Sequence, residues 1–232
     1  MSKKAQGKSA AWYGEWERNF PDKVVKHNAR ARKALEFVRE AGVPTVGVVE
    51  YFGGTGNYSR MIQELWQPEW HVVFDIHPAA CEALRALPLP LKVLQEEFAL
   101  SAGRDLDPDV VVMDSHNFTL MKLQEDHRTS LDLIFARRPA ALVVNDLLGE
   151  YFWWTRKAYA EHLGVDKLSY EQYIHFLAIW WLEEFGYGMR AYWHGAPQGS
   201  LRPGPGVYVL LPGEAKPMIH PNVGMPPRDS TR

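Results

Sequence analysis

Four short apolar runs, each stopped by an acidic or amide residue, constrain this chain more than any other feature. Residues 45–50 run to Glu50, residues 70–74 to Asp75, residues 109–113 to Asp114, and residues 140–144 to Asn145 and Asp146. Such runs, without polar alternation, are strands buried on both faces. Residues 91–94 read as a further short strand. Between the strands, residues 57–66, 78–87 and 118–137 carry helical spacing. Strands alternating with helices predict an α/β fold, a mostly parallel sheet with helices on both faces.

The flanking segments extend this pattern. Residues 22–41 read as a helix, with Asp22 as its cap, Val24, Val25, Leu35, Phe37 and Val38 as its apolar positions, and Gly42 as its stop. Residues 169–185 read as the strongest helix. Ser169 and Gln172 form a capping box, and Tyr170, Tyr173, Ile174, Leu177 and Trp181 share one face. Residues 189–193 and 206–211 read as two final strands in an antiparallel hairpin. The expected organisation is a basic and aromatic lead over 1–21, with Trp12, Trp16 and Phe20 four apart, then a single domain over 22–211. A proline-rich extended tail follows over 212–232.

Composition narrows the class. The chain has 232 residues, 46% hydrophobic and 23% charged, enough for one sizeable core. Its one cysteine excludes a disulfide framework and a zinc ribbon of cysteines. It fits a reducing compartment, so a cytoplasmic location is expected. No apolar run approaches the roughly 18 residues of a membrane span, and the polar, basic residues 1–9 do not read as a signal peptide. No histidine pair has metal-ligand spacing, so no metal is expected. Residues 1–40 hold ten Lys and Arg against five Asp and Glu, while the rest holds 16 against 23. A basic arm on an acidic body could reach the phosphates of a nucleic acid. The plainer alternative is a solvated helix face. An oligomer remains open.

In an open parallel sheet, ligands bind beyond the carboxyl ends of the strands. Glycines 53, 54 and 56 follow Glu50 there and let a backbone approach a ligand closely. Asp75, about 20 residues on, ends the second strand, where a carboxylate can accept from both ribose hydroxyls. A nucleoside cofactor is therefore expected. A dinucleotide fingerprint needs Gly-x-Gly-x-x-Gly, but Ser59 stands at the third glycine. Glu50 would repel a pyrophosphate and suits the ammonium of a methionine moiety. The final hairpin also suits class I S-adenosylmethionine-dependent methyltransferases better than dehydrogenases.

Glu50, Phe52, Gly54 and Gly56 resemble motif I of DNA methyltransferases, acidic-x-Phe-x-Gly-x-Gly. Residues 74–84 are similar to the second motif of the C5-cytosine family. Residues 138–147 lie where that family has a strand ending in Glu-Asn-Val, and residues 195–202 resemble its Gly-Val-Pro-Gln-x-Arg-x-Arg stretch. The resemblance covers about residues 44–211 in order. It implies S-adenosylmethionine as cofactor, with Glu50 toward the methionine ammonium, Phe52 near the methionine portion, and Gly54 and Gly56 beside the cofactor. Asp75 would hold the ribose and Glu97 would stand near the adenine amine.

The departures are specific. The family's Pro-Pro-Cys-Gln is replaced by Asp114, Ser115, His116 and Asn117, and the only thiol, Cys81, follows the second strand. Methylation at a ring carbon needs a thiolate adduct, so C5 chemistry is not implied. With only 21 residues after residue 211, no recognition domain is expected. Transfer to nitrogen or oxygen needs positioning and sometimes a base. Asp114, His116, Asn117 and Asp146 are the candidate catalytic residues, His116 as the base. Residues 151–181 hold ten of the 29 aromatics. Tyr151, Trp153 and Trp154, with Phe118, could stack on a planar acceptor, whereas Trp180 and Trp181 read as helix-packing residues. The expected function is methyl transfer to a nucleobase or nucleic acid. A non-catalytic cofactor- or nucleic-acid-binding relative and a small-molecule methyltransferase are the alternatives.

Overall fold

The computed structural model describes residue 19 and residues 21–115, 125–146, 170–194, 206–214 and 217–220. Their elements are α1 (Pro21–Glu40), β1 (Gly47–Tyr51), α2 (Asn57–Leu65), β2 (Trp70–Asp75), α3 (Pro78–Arg85), β3 (Lys92–Gln95) and α4 (Phe98–Ala102). After these come β4 (Val110–Ser115), α5 (Glu125–Ala136), β5 (Ala141–Asp146), α6 (Tyr170–Phe185), β6 (Tyr187–His194), β7 (Gly206–Pro212) and β8 (Met218–His220).

The sheet order is β3-β2-β1-β4-β5-β7-β6-β8. Strands β1 to β5 are parallel, with Val48 opposite Val110 and Val111 opposite Leu142. Strand β7 is antiparallel to both β5 and β6. The hairpin reading holds for the pair, and β7 is inserted between β5 and β6. Side chains alternate between two cores. Val48, Val110, Val112 and Val143 meet α1 and α2 through Ala31, Ala34, Leu35 and Ile62. Val49, Val111, Leu142 and Val144 meet α4, α5 and α6 through Phe98, Leu131, Leu177 and Trp181. Burial on both faces explains why the strands read as unbroken apolar runs. Trp181 is fully buried and its Nε1 donates to the Tyr208 hydroxyl at 3.2 Å, so this end of α6 packs on the sheet.

Four details differ from the sequence reading. Asp22 lies inside the first turn of α1 instead of capping it, where its charge still suits the helix N-terminus. Val25 is 67% exposed, and Ala31 and Ala34 take the inner positions because small side chains let the helix approach the sheet. Helix α4 was not foreseen, being only five residues long. Strand β8 adds a parallel edge beside β6, with Ala191 opposite Met218. Tyr170 and Tyr173 belong to α6, but their side chains, like Ser169 and the lead residues Trp12, Trp16 and Phe20, lie outside the described residues. Among the described residues no helix is long and apolar enough to cross a membrane.

Candidate active site

The turn after β1 leaves the sheet through an unusual backbone. Phe52 has φ 65°, Gly54 has φ 53° and Gly56 has φ 80°. A non-glycine residue in the left-handed region costs on the order of 1–3 kcal/mol. Two backbone bonds oppose that cost: the Phe52 and Gly53 amides both donate to the Phe74 carbonyl, at 2.8 and 3.2 Å. The Phe52 ring packs on Phe98, with centroids 5.1 Å apart. The glycines divide the remaining work. A Cβ on Gly53 would stand 2.3 Å from Val73 Cγ1, and one on Gly56 would stand 2.6 Å from Leu87 Cδ1. Both are needed for packing beneath the turn. At Gly54 the nearest atom among the described residues would be the Phe52 carbonyl oxygen at 3.8 Å, so its bare side is open to them.

Asp75, at the end of β2, ties this turn down. Its Oδ2 accepts from the Gly54 amide at 2.9 Å and its Oδ1 accepts from the His77 amide at 2.8 Å. Each carboxylate oxygen keeps a second lone-pair direction for a further donor. Glu97, beyond β3, is the exposed N-cap residue of α4, and its side chain makes no capping bond.

Glu50 is turned inward. It is fully buried, its Oε2 accepts from Ser59 Oγ at 2.7 Å, and His71 Nε2 lies 3.1 Å from the same oxygen, off the hydrogen-bonding line. Gln63 Nε2 stands 3.2 Å from His71 Nδ1. Glu50 Oε1 has no hydrogen-bond partner among the described residues. Ser59, which breaks the dinucleotide fingerprint, is therefore a hydrogen-bond donor to the motif carboxylate. That role was not visible from its spacing alone.

A second polar group gathers at the ends of β4 and β5. Asn145 Nδ2 donates to Asp114 Oδ1 at 2.5 Å and stands 3.5 Å from His27 Nε2. Tyr58 is fully buried and packs edge-on to His27, and Arg30 is only 2% exposed. Burial, then the Arg30 charge, pushes the His27 pKa down to about 3 and that of His194 to about 4. Burial raises the Tyr58 pKa well above its ordinary value, with the Asp114 charge adding to it. Among the described residues, His27 Nδ1, Asn145 Oδ1 and the Tyr58 hydroxyl have no hydrogen-bond partner.

Sequence reasoning missed His27, Arg30 and Tyr58. It placed the first two in a basic arm, whereas α1 turns them into the protein. Arg32 pairs instead with Glu64 at 2.5 Å and Lys33 with Glu36 at 2.9 Å. The usable signal was the run of small residues Ala31 and Ala34 just after Arg30, which marks the inner face.

Asp114 and Asn145 are brought together, and Asp146 follows on β5 with its backbone opposite Gly206. The Asp146 side chain lies outside what is described. So do His116, Asn117, Phe118, Tyr151, Trp153 and Trp154, and residues 195–202. Cys81 lies buried on α3 with its Sγ 3.5 Å from the Asp75 carbonyl oxygen, and burial raises its thiol pKa. Among the described residues no group of three or more His, Cys, Asp or Glu could hold a metal ion.

Several solved structures share this architecture. The plantazolicin methyltransferase BpumL, in complex with SAH, has a TM-score of 0.59 at 10% identity, over 91% of this chain and 91% of its own. Magnesium protoporphyrin IX methyltransferase (ChlM) from Synechocystis PCC 6803, with bound SAH, has 0.57 at 11%, over 88% and 94%. The methyltransferase domain of bacterial CtHen1-C has 0.56 at 15%, over 81% and 99%. No protein-family model matches the sequence, and no curated protein does. The likeness establishes a Rossmann-like methyltransferase fold. It bears on the fold and gives nothing to the C5-cytosine branch of the resemblance.

Proposed function

We propose that this chain is an S-adenosylmethionine-dependent methyltransferase. The observation that carries the reading is the coupling of Asp75 to the open Gly54 turn, a carboxylate with spare acceptor directions beside a bare backbone at the ends of β2 and β1. The unpartnered Glu50 Oε1 fits the same group, because a buried carboxylate oxygen gains strongly from a cationic donor. In this reading Asp75 accepts from the ribose hydroxyls, Gly54 and Gly56 pass the backbone beside the ligand, and Phe52 walls the methionine portion. Glu50 meets the ammonium through water, since Oε1 is buried, and Glu97 takes the adenine amine. When bound, the cofactor supplies an electrophilic methyl group on a sulfonium centre.

The acceptor lies over β4 and β5 in this reading. Asp114 accepts a hydrogen bond from an N–H or O–H of the acceptor and is oriented by Asn145. His116 serves as the base, and Asn117 and Asp146 complete the polar rim. Phe118, Tyr151, Trp153 and Trp154 stack on a planar face, as a nucleobase or a similar heteroaromatic ring would offer. Ring-carbon methylation through a thiolate adduct has no support here, because Cys81 is buried beside Asp75. One observation favours a small acceptor over a polynucleotide bound along α1: Arg30 is buried, and Arg32 and Lys33 already pair at the surface with Glu64 and Glu36. Nucleic-acid contact through residues 1–40 then rests on its other basic residues, those of 1–18 with Lys23, Lys26 and Arg39.

The test is transfer of labelled methyl from S-adenosylmethionine to DNA, RNA, nucleosides and small-molecule extracts. Label in a planar acceptor, lost in Asp114→Ala, supports the reading. Cofactor binding without transfer to any of them favours the non-catalytic relative. Deleting residues 1–18 separates the acceptors, because loss of transfer to polynucleotide alone assigns that segment to nucleic acid.

A further inference from the structure

Beneath the glycine turn lies a chain of polar contacts that the proposed chemistry does not use. It runs from Gln63 on α2 to His71 on β2 and on to Glu50 on β1, with Ser59 joining at the same carboxylate oxygen. The Glu50 and His71 side chains are both 0% exposed. Such a buried carboxylate is costly unless it is held and partnered. Only Oε2 is held. Oε1 lies under the turn, where a Cβ on Gly53 would stand 3.6 Å from it.

The asymmetry has a direct consequence. Ser59 donates to one oxygen, and the His71 ring packs against the same oxygen at 3.1 Å without a hydrogen bond, so the carboxylate's rotation is fixed and the other oxygen is left to face a donor. Gln63 in turn holds the far side of the ring, with its Nε2 3.2 Å from Nδ1.

We propose that Ser59, His71 and Gln63 are positioning residues that hold Glu50 for the amino-acid end of the cofactor. They thereby set the preference for ligands carrying a free α-ammonium. This rests on the cofactor reading above and deepens it. None of the three touches the ligand. They act through Glu50, so their effect is confined to probes that present the ammonium.

The test compares two probes on the full-length chain by calorimetry: S-adenosylhomocysteine, which has the ammonium, and 5′-methylthioadenosine, which lacks the amino-acid end. Ser59→Ala is expected to weaken S-adenosylhomocysteine by about tenfold while leaving 5′-methylthioadenosine within about twofold. His71→Gln is expected to follow the same pattern more weakly, with thermal melting confirming that both variants fold. Equal loss of both probes, or loss of neither, overturns the inference and leaves the cofactor site standing. A wild-type chain that binds neither probe overturns the cofactor reading and this inference with it.

Discussion

At the ends of β1 and β2 the acidic side chains are held by groups near them in the chain. At the ends of β4 and β5 the polar side chains meet a helix from the other end of the sequence. Asp75 is bonded to Gly54, 21 residues away, and Glu50 to Ser59, nine away. Asn145 stands against His27, 118 residues away. The first half is a local device, a turn tied to a neighbouring strand. The second exists only after α1 has docked on the sheet. The two halves meet at α2, where Tyr58 packs on His27 and its neighbour Ser59 donates to Glu50.

The sharpest way to break this contrast is Asn145→Asp. It sets a second carboxylate against Asp114 in a buried site, and about 3–5 kcal/mol of stability is expected to be lost at neutral pH. Two such carboxyls cannot both ionise, so the folded pair holds a proton more tightly than the unfolded chain. Its folded pKa is raised, so stability is greatest in acid and falls as pH rises. Urea unfolding at pH 5 and pH 8 checks the sign. S-adenosylhomocysteine binding by the fraction that remains folded is expected to be unchanged, and its loss would show that the halves are coupled.

His27 carries the opposite sign. Its pKa of about 3 lies below the ordinary 6.5, so the unfolded chain takes the proton first. Its contribution is complete above about pH 6.5 and is lost as pH falls toward 3, at up to about 1.4 kcal/mol per pH unit. His194, at about 4, adds to this acid limb. His27→Phe keeps a ring beside Tyr58 and is expected to flatten part of the slope between pH 6.5 and 4.5. An unchanged slope would show that His27 is solvated.

The glycines sharpen the first half. Gly53→Ala drives a Cβ into Val73 and is expected to cost about 1–3 kcal/mol. Gly54→Ala meets open space and carries only the left-handed penalty, about 1–2 kcal/mol. Cofactor binding should rank the other way, with the larger loss in Gly54→Ala. Thermal melts and calorimetry on the pair decide it.

The same contrast explains what could be read in advance. Strands β1, β2, β4 and β5 fell within about two residues of their apolar runs, because burial on both faces leaves an unbroken pattern. Asp75 could be singled out from its place at a strand end. The left-handed Phe52 could not, since the motif names a phenylalanine without its backbone angle, and only tertiary support allows a ring at φ 65°. His27 and Arg30 were missed because charge alone looks the same on a solvated and a docked helix, and only the small residues Ala31 and Ala34 mark the inner face. Val25 was misjudged because hydrophobicity was weighed without the close approach that Ala31 and Ala34 permit.

The most direct measurement is calorimetric titration of the full-length chain with S-adenosylhomocysteine, wild type beside Asp75→Ala. Saturable binding at one site per chain is expected, weakened by at least about a hundredfold in the variant, which loses the proposed acceptor of both ribose hydroxyls and the observed tie to Gly54. No binding by the wild type, or equal binding by the folded variant, would contradict the assignment of this turn as the cofactor site.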